Sequence, residues 1–419
     1  MNPNTTDTGK TVGIVGAGIV GTATALSLVR QGYDVTLIDP QSTLRPASYG
    51  NGGALNPSSV VPVTIPGLIT KAPRMMLDPN SPLFLHWRYL PRLLPWLVRY
   101  LSHSRASEAL RIAKGLAALV SNSLREHQAL ADGTAAAKFL RGTDFIFVYR
   151  DRAAFEADAY AWSLRKQLGI AWETIDIDAY KRLEPALASC SYFAVRLPEH
   201  GFVSDPGCYV AALTDSFREH GGTVIEDEAI DFTLEGEQCG VMLASQRRVD
   251  FATLVIAAGA WSGELTSKLG LSVPLESERG YHVEFLEPSV MPIHPTLIAS
   301  GKFIVTPMDG RLRCAGVVEF GGLDMPPNKA PTDFIINQVK EILPNMRWKE
   351  IRTWLGHRPS LTDSLPIIDR VPGRKNVILA FGHHHIGFTA GAKTGRIVAD
   401  LVAGRDSGID LTPYRADRF

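Results

Sequence analysis

Residues Thr11 to Ala25 read Thr-Val-Gly-Ile-Val-Gly-Ala-Gly-Ile-Val-Gly-Thr-Ala-Thr-Ala, and no other stretch restricts the fold so strongly. Val12, Ile14 and Val15 predict a short buried strand. Gly16, Gly18 and Gly21 form G-x-G-x-x-G, and Ile19 to Arg30 is patterned as a helix that ends at Gly32. The run Asp34-Val-Thr-Leu-Ile-Asp39 predicts a second strand closing on an acid, roughly 20 residues past the glycines as a dinucleotide-binding turn requires. Each residue type has a task there. Gly16 permits the tight turn, Gly18 lets the backbone approach a pyrophosphate, and Gly21 lets helix pack on strand. The pyrophosphate would rest on the helix N-terminus beside Ala17 and Val20, where unpaired N–H groups and the helix dipole favour negative charge. Asp39, followed by Pro40, would accept hydrogen bonds from ribose hydroxyls.

The same fingerprint serves NAD and FAD enzymes. FAD is favoured because the motif stands at the N-terminus, no second copy follows, and two Gly-rich segments lie far downstream, as one extended ligand would need. The first, Thr253–Ser262, is a β run ending in Ala257-Ala258-Gly259-Ala260-Trp261. Small residues there allow close backbone approach. An ordinary core strand with a Gly turn would look the same. The second predicts a strand over Val377–Phe381, a turn Gly382-His383-His384-His385-Ile386, and a helix from Gly387 through Thr389. Its free N–H groups suit the negative charge that a flavin gathers on reduction.

Composition narrows the partners. The chain has 419 residues, 43 Lys+Arg against 43 Asp+Glu, and zero formal net charge. That balance argues against a dedicated nucleic-acid binder. Cys190, Cys208, Cys239 and Cys314 are too few and too scattered for a disulfide scaffold or a zinc site, which points to reduced thiols in the cytoplasm. The polar N-terminus carries no signal-peptide pattern, and no apolar run approaches the roughly 20 residues that span a bilayer. The Leu- and Trp-rich stretch 83–101 carries Arg88, Arg92 and Arg99. It reads as a packed helical hairpin or subunit interface, or as a segment in peripheral contact with the inner face of a membrane. Pro91 and Pro95 are expected to break or kink a helix there.

These motifs, with Ser48-Tyr49-Gly50-Asn51-Gly52-Gly53, Arg279-Gly280-Tyr281, Gly356-His357-Arg358-Pro359 and Gly382-His383, resemble the D-amino-acid oxidase/dehydrogenase superfamily of FAD-dependent oxidoreductases. Within it the chain is most similar to bacterial D-amino-acid dehydrogenases. The resemblance covers nearly the whole chain. It implies an α/β Rossmann-type FAD-binding domain interleaved with an α+β substrate domain on a mixed or antiparallel sheet. Element order places the FAD domain in 1–80, 200–275 and 345–419, and the substrate domain in 81–199 and 276–344. No cysteine follows Cys314, so the FAD is expected to be non-covalent.

The implied chemistry moves a hydride from Cα of a D-amino acid to flavin N5, with the imine then hydrolysing to a 2-oxo acid and ammonia. Electrons would pass to a quinone or another carrier. An oxidase of the same fold, including a glycine or sarcosine type, would pass them to oxygen, and a non-catalytic FAD-binding subunit is the reading from another class. Such chemistry needs orientation more than a strong base. Arg358 matches the substrate arginine and presents paired donors to a carboxylate. Tyr281, with His282 and Tyr49 near it, would contact the substrate, and His385 completes the expected catalytic set. Ser48, Asn51, Gly52 and Gly53 would pass near the flavin. A histidine at 384, where relatives have glycine, would narrow the pocket and favours a cyclic or hydroxylated substrate such as D-proline or cis-4-hydroxy-D-proline. The triple histidine is not read as a metal site, since adjacent residues on an extended chain point apart. Oligomeric state is left open.

Overall fold

The computed structural model describes residues 10–40, 46–70, 81–187, 193–236 and 238–419. Cys190 lies outside them. Three sheets organise the molecule.

The first has six strands in the order Ile367–Val371, Arg374–Phe381, Thr253–Ile256, Thr11–Val15, Asp34–Ile38 and Thr223–Ile225. All neighbours are parallel except the first pair, an antiparallel hairpin at the edge. Both faces are covered, so the strands are apolar on both sides. Ile14, Leu37, Val255 and Ile378 face one core. Val15, Ile38, Ile256 and Leu379 face another. The first core lies beneath the helices Ile19–Val29, Pro206–Glu219 and Gly387–Val402. The second lies beneath the antiparallel sheet Ala229–Glu235, Gln238–Leu243 and Arg248–Phe251, seen in Cys239, Val241 and Leu243. The helices Ile19–Val29 and Gly387–Val402 approach closely. A Cβ on Gly391 would lie 2.6 Å from Ile19 Cγ1, and one on Gly395 2.5 Å from Ala23 Cβ.

The largest sheet has ten strands and is mainly antiparallel. Its main path runs Glu350–Leu361, Leu275–Leu286, Arg311–Phe320, Phe303–Met308, Thr296–Ile298, Leu140–Tyr149, Phe193–Val203 and Ala54–Leu55. The parallel contacts are Thr296–Ile298 with Leu140–Tyr149, and Leu83–Leu85 with Arg311–Phe320. Residues 350–361, which the sequence division puts with the nucleotide-binding unit, pair along their whole length with Leu275–Leu286 in this sheet. Ala54–Leu55, which follow the strand Asp34–Ile38 in sequence, pair antiparallel with Phe193–Val203 at the edge of the large sheet.

The stretch 83–101 is not broken by its prolines. It forms a strand (Leu83–Leu85), a short turn of helix (Trp87–Tyr89) and the helix Leu90–Ser102. Pro91 falls in the first turn, where its missing N–H costs nothing, and Pro95 is carried within the helix. Leu93, Trp96 and Tyr100 bury one face, while Leu94 and Val98 on the other, with Trp87 before it, are more than half exposed. No described helix is long and apolar enough to cross a membrane.

Candidate active site

A cavity of about 960 Å³ runs between the six-stranded sheet and the large sheet. At one end it is lined by Gly16, Gly18, Val20, Asp39 and Pro40. At the other it is lined by Glu278, Arg358, His384 and His385, and Ser48, Asn51, Gly52, Ala258, Gly259 and Trp261 lie along its walls.

The nucleotide end is shaped by backbone demands. Gly16 has φ +105°, and a Cβ there would lie 2.5 Å from the Ala257 carbonyl oxygen. A Cβ on Gly21 would lie 1.8 Å from the Gly16 oxygen. Both positions therefore require glycine. Gly18 is the N-cap of the helix Ile19–Val29 and offers no side-chain cap. Ser48 Oγ accepts from Ile19 N–H (2.9 Å), and the Asp39 carboxylate accepts from Ala17 N–H (2.7 Å). Asp39 thus holds the glycine turn while lining the cavity. The helix Gly387–Val402 also lacks a side-chain cap, and its first residues Gly387, Phe388 and Thr389 line the cavity. Two helix starts at one cavity, the first met only at Ile19 N–H by Ser48 and the second without a side-chain cap, fit a ligand with a pyrophosphate at one end and an electron-rich ring at the other.

Several expected residues act on the framework instead of lining the cavity. Ala17 and Gly21 build the turn. Gly53 (φ +77°) packs its Cα against the Val203 carbonyl, and Gly382 (φ +87°) packs against Leu361. Ile386 is buried in the core among the helices. Tyr49 packs against Trp354 and Gly207. His282 is buried, its Nδ1 bonds the Gly50 carbonyl (2.9 Å), and its ring stacks on Trp354. Burial and the Arg313 charge lower its pKa to about 4. Neither Tyr49 nor His282 reaches the cavity. Both were expected at the substrate, but strand alternation turns His282 to the face opposite Tyr281, and the turn that carries Tyr49 packs its ring on Trp354.

Tyr281 does line the cavity, but its hydroxyl is committed. It donates to Glu319 Oε2 (2.6 Å) and accepts from Asn328 N–H (3.1 Å). Glu319 is wholly buried between Arg279 (3.3 Å) and His86 (3.2 Å). The expectation of a hydroxyl free for a substrate carboxylate is not met.

Arg358 is different. Its Nη1 donates to the Val317 carbonyl (2.9 Å) and its Nη2 to Gly316 (3.1 Å). Of five guanidinium N–H donors, these leave three to face a ligand. The group fits only because position 280 is glycine, where a Cβ would lie 2.5 Å from Arg358 Cζ. Burial lowers the arginine's pKa and the charge of Glu278 counters it.

The three histidines diverge because they lie on a tight turn, not on an extended chain. His383 is buried and meets Thr394 Oγ1 through Nε2 (3.1 Å), and burial pushes its pKa to about 3. His384 has φ +52° and donates from Nε2 to Glu278 Oε1 (2.8 Å). Its Nδ1 lies 2.6 Å from His385 Nδ1. His385 opens onto the cavity. Its enclosure there, with His384 and Arg358, holds its pKa well below the ordinary value. No three His, Cys, Asp or Glu side chains gather as a metal site among the described residues.

Glu278 was missed by sequence reasoning. Burial works to raise its pKa, but His384, Arg358 and Ser360 outweigh it and hold the carboxyl ionised. Glu276-Ser277-Glu278-Arg279 reads as a polar run in the sequence, and only the pairing of its strand on both sides makes Glu278 a buried charge that requires a partner. Trp354 and His357, which also line the cavity, gave no signal either.

Comparison with known proteins places this geometry. The family model described as FAD dependent oxidoreductase (DAO) matches residues 11–401. A protein named D-amino-acid oxidase from Bradyrhizobium diazoefficiens is 35% identical over 98% of this chain and 99% of its own length. A D-amino acid dehydrogenase from Paramagnetospirillum magneticum is 29% identical over 97% and 98%. The crystal structure of glycine oxidase from Geobacillus kaustophilus shares the fold, with a TM-score of 0.73 at 21% identity over 97% of this chain and 98% of that one. With the glycine turn, the acid and the two helix starts at one cavity, the chain belongs to the DAO family of FAD-dependent oxidoreductases.

Proposed function

We propose that this protein oxidises a D-amino acid or a cyclic D-imino acid at Cα. The supporting observation is Arg358: a buried guanidinium with donors to spare, at the end of the FAD cavity away from the glycine turn. FAD, when bound, supplies the hydride acceptor. The chain's own residues do the rest. Arg358 fixes the plane of the substrate carboxylate with paired N–H donors. His385 faces the amine, and His384 fills space that a smaller residue would leave open, which favours compact or cyclic substrates. Tyr281 supports the wall through Glu319.

The leading reading passes electrons to a quinone or another carrier. Leu97, Tyr100 and Leu101 of the helix Leu90–Ser102 line the cavity. The exposed Leu94 and Val98, with Arg88, Arg92 and Arg99 around them, would seat this edge on an anionic membrane. The second reading, transfer to oxygen, is favoured by the relative at 35% identity, whose name is that of an oxidase.

Anaerobic reduction of the bound flavin by a panel of D- and L-amino acids, cyclic imino acids included, tests the reaction. D-selective bleaching is expected, and no bleaching by any member overturns it. Peroxide formed in step with substrate loss in air would establish the oxidase reading. Co-sedimentation with anionic vesicles, lost in a Leu94→Glu/Val98→Glu variant, is expected under the membrane reading.

A further inference from the structure

His384 occupies a left-handed backbone conformation that L-residues avoid. A residue held there is over-determined by its surroundings, and here the surroundings are Glu278 on one side of its ring and His385 on the other. The hydrogen bonds fix the protons. Glu278 can only accept, so His384 Nε2 carries hydrogen. In the neutral ring Nδ1 is then an acceptor, so the proton between the two rings belongs to His385 Nδ1. His385 Nε2 is left with its lone pair, and no hydrogen-bond partner occupies it among the described residues.

The geometry points to a proton relay in which His385 Nε2 takes a proton from the substrate ammonium group, so that the site binds the zwitterion and converts it in place to the reactive neutral amine. This rests on reading the cavity as the site of amine oxidation. The substrate N–H bond breaks and an N–H bond forms at His385 Nε2. The hydrogen on His385 Nδ1 passes to His384 Nδ1. His384 becomes an imidazolium 2.8 Å from Glu278, which stays a carboxylate. No proton leaves the protein and no redox partner is needed.

Charge bookkeeping favours the step. Before transfer the pocket holds Arg358 and Glu278, and the zwitterion adds no net charge. After transfer it holds two ion pairs, Arg358 with the substrate carboxylate and His384 with Glu278. The groups that face the histidines are accounted for: Arg358 on one strand, Glu278 on the next, the phenol of Tyr100 from the helix Leu90–Ser102 near Glu278, and His383 turned away to Thr394. Burial and Arg358 make His385 a weak base in the empty pocket. The arriving carboxylate offsets the arginine, and the link to His384 moves the charge to where a carboxylate awaits it. Glu278 and His384 are positioning residues, and His385 is the catalytic one.

Two measurements test the relay on the flavin-loaded protein. In ¹⁵N-histidine NMR, His385 is expected as the Nδ1–H tautomer, with a low-field proton that His384→Gly removes. An Nε2–H tautomer overturns the proposal. In anaerobic flavin reduction, the apparent Kd for a D-amino acid is expected to be nearly flat from about pH 7 to 9. In Glu278→Gln and in His384→Gly only the neutral amine would bind productively, so Kd should improve about tenfold per pH unit below the amine pKa. The glycine variant relieves the backbone, so a folding defect does not explain its effect. Profiles unchanged in both variants, with the flavin still reducible, overturn the relay alone. A flavin that no amino or imino acid reduces removes the functional reading and the relay with it.

Discussion

At the scale of single residues, the site depends on one arginine and the glycine beneath it. Arg358 keeps two donors on backbone carbonyls, leaves three uncommitted, and lines the cavity. Replacing it with methionine removes charged hydrogen bonds of about 2–3 kcal/mol, so kcat/KM should fall roughly 30- to 150-fold. Lysine should recover little, because a single ammonium does not reproduce the fork. Gly280→Ala reaches the same end from below: its Cβ would lie 2.5 Å from both Cζ and Nη2 of Arg358, so the guanidinium must move. Steady-state kinetics beside flavin absorbance are expected to show lost turnover with cofactor retained in both variants. Retained turnover in Gly280→Ala would show that the arginine's position is not what the reaction uses.

At the scale of elements, the helices Ile19–Val29 and Gly387–Val402 form one device. Each starts at the cavity with no cap from its own N-cap side chain, and small residues let them approach. Gly395→Val should push them apart, destabilise the protein by about 1–3 kcal/mol as overpacking does, and weaken FAD binding. Thermal unfolding with flavin release as a second probe measures both, and an unchanged midpoint would show that the helices yield without cost. This device was legible in the sequence because its constraints are local. The glycine turn, Asp39 and the small residues after Gly387 lie within short windows whose spacing has a physical reason. The large sheet was only partly legible. Its individual strands carry β-branched and aromatic residues, as in Phe303-Ile304-Val305-Thr306, but the pairing of Leu275–Leu286 with Glu350–Leu361 is a contact between distant segments. Without that register Glu278 and Arg358 do not become neighbours, and without the pairing of Leu275–Leu286 with Arg311–Phe320 Tyr281 does not appear beside Glu319. Likewise His282 and Tyr49 carried suitable chemistry, but which side of the sheet they take is fixed by a bulge and a loop. Pro95 misled in the opposite sense: a buried face of Leu93, Trp96 and Tyr100 outweighed one lost backbone bond.

At the scale of the whole molecule, zero net charge says little, while the buried histidines say a good deal about pH. Burial lowers His127 to about 4, His282 to about 4 and His383 to about 3. In the unfolded chain each titrates near 6.5. As pH falls from about 6.5 toward these values, the unfolded state binds protons that the folded state refuses. Stability is therefore fully present above roughly pH 6.5 and lost as pH falls below it. Each unit of depression corresponds to about 1.4 kcal/mol, so three such groups carry several kcal/mol between them, a large share of a typical domain's stability. The carboxylates of Glu278 and Glu284, held below their ordinary values against burial by His384 and Arg313, lose their contribution at still lower pH and add to the slope. Denaturant unfolding of the flavoprotein should give a midpoint that is level above about pH 7 and drops steeply from pH 6.5 to 4. His127→Phe, with flavin absorbance followed alongside, tests this cause, because His127 is buried between Tyr209 and the Phe388 carbonyl and does not itself line the cavity. If burial is the cause, the variant should flatten the acid limb even though it gives up two hydrogen bonds at neutral pH. An acid limb as steep as in the parent protein would show that His127 does not contribute to it.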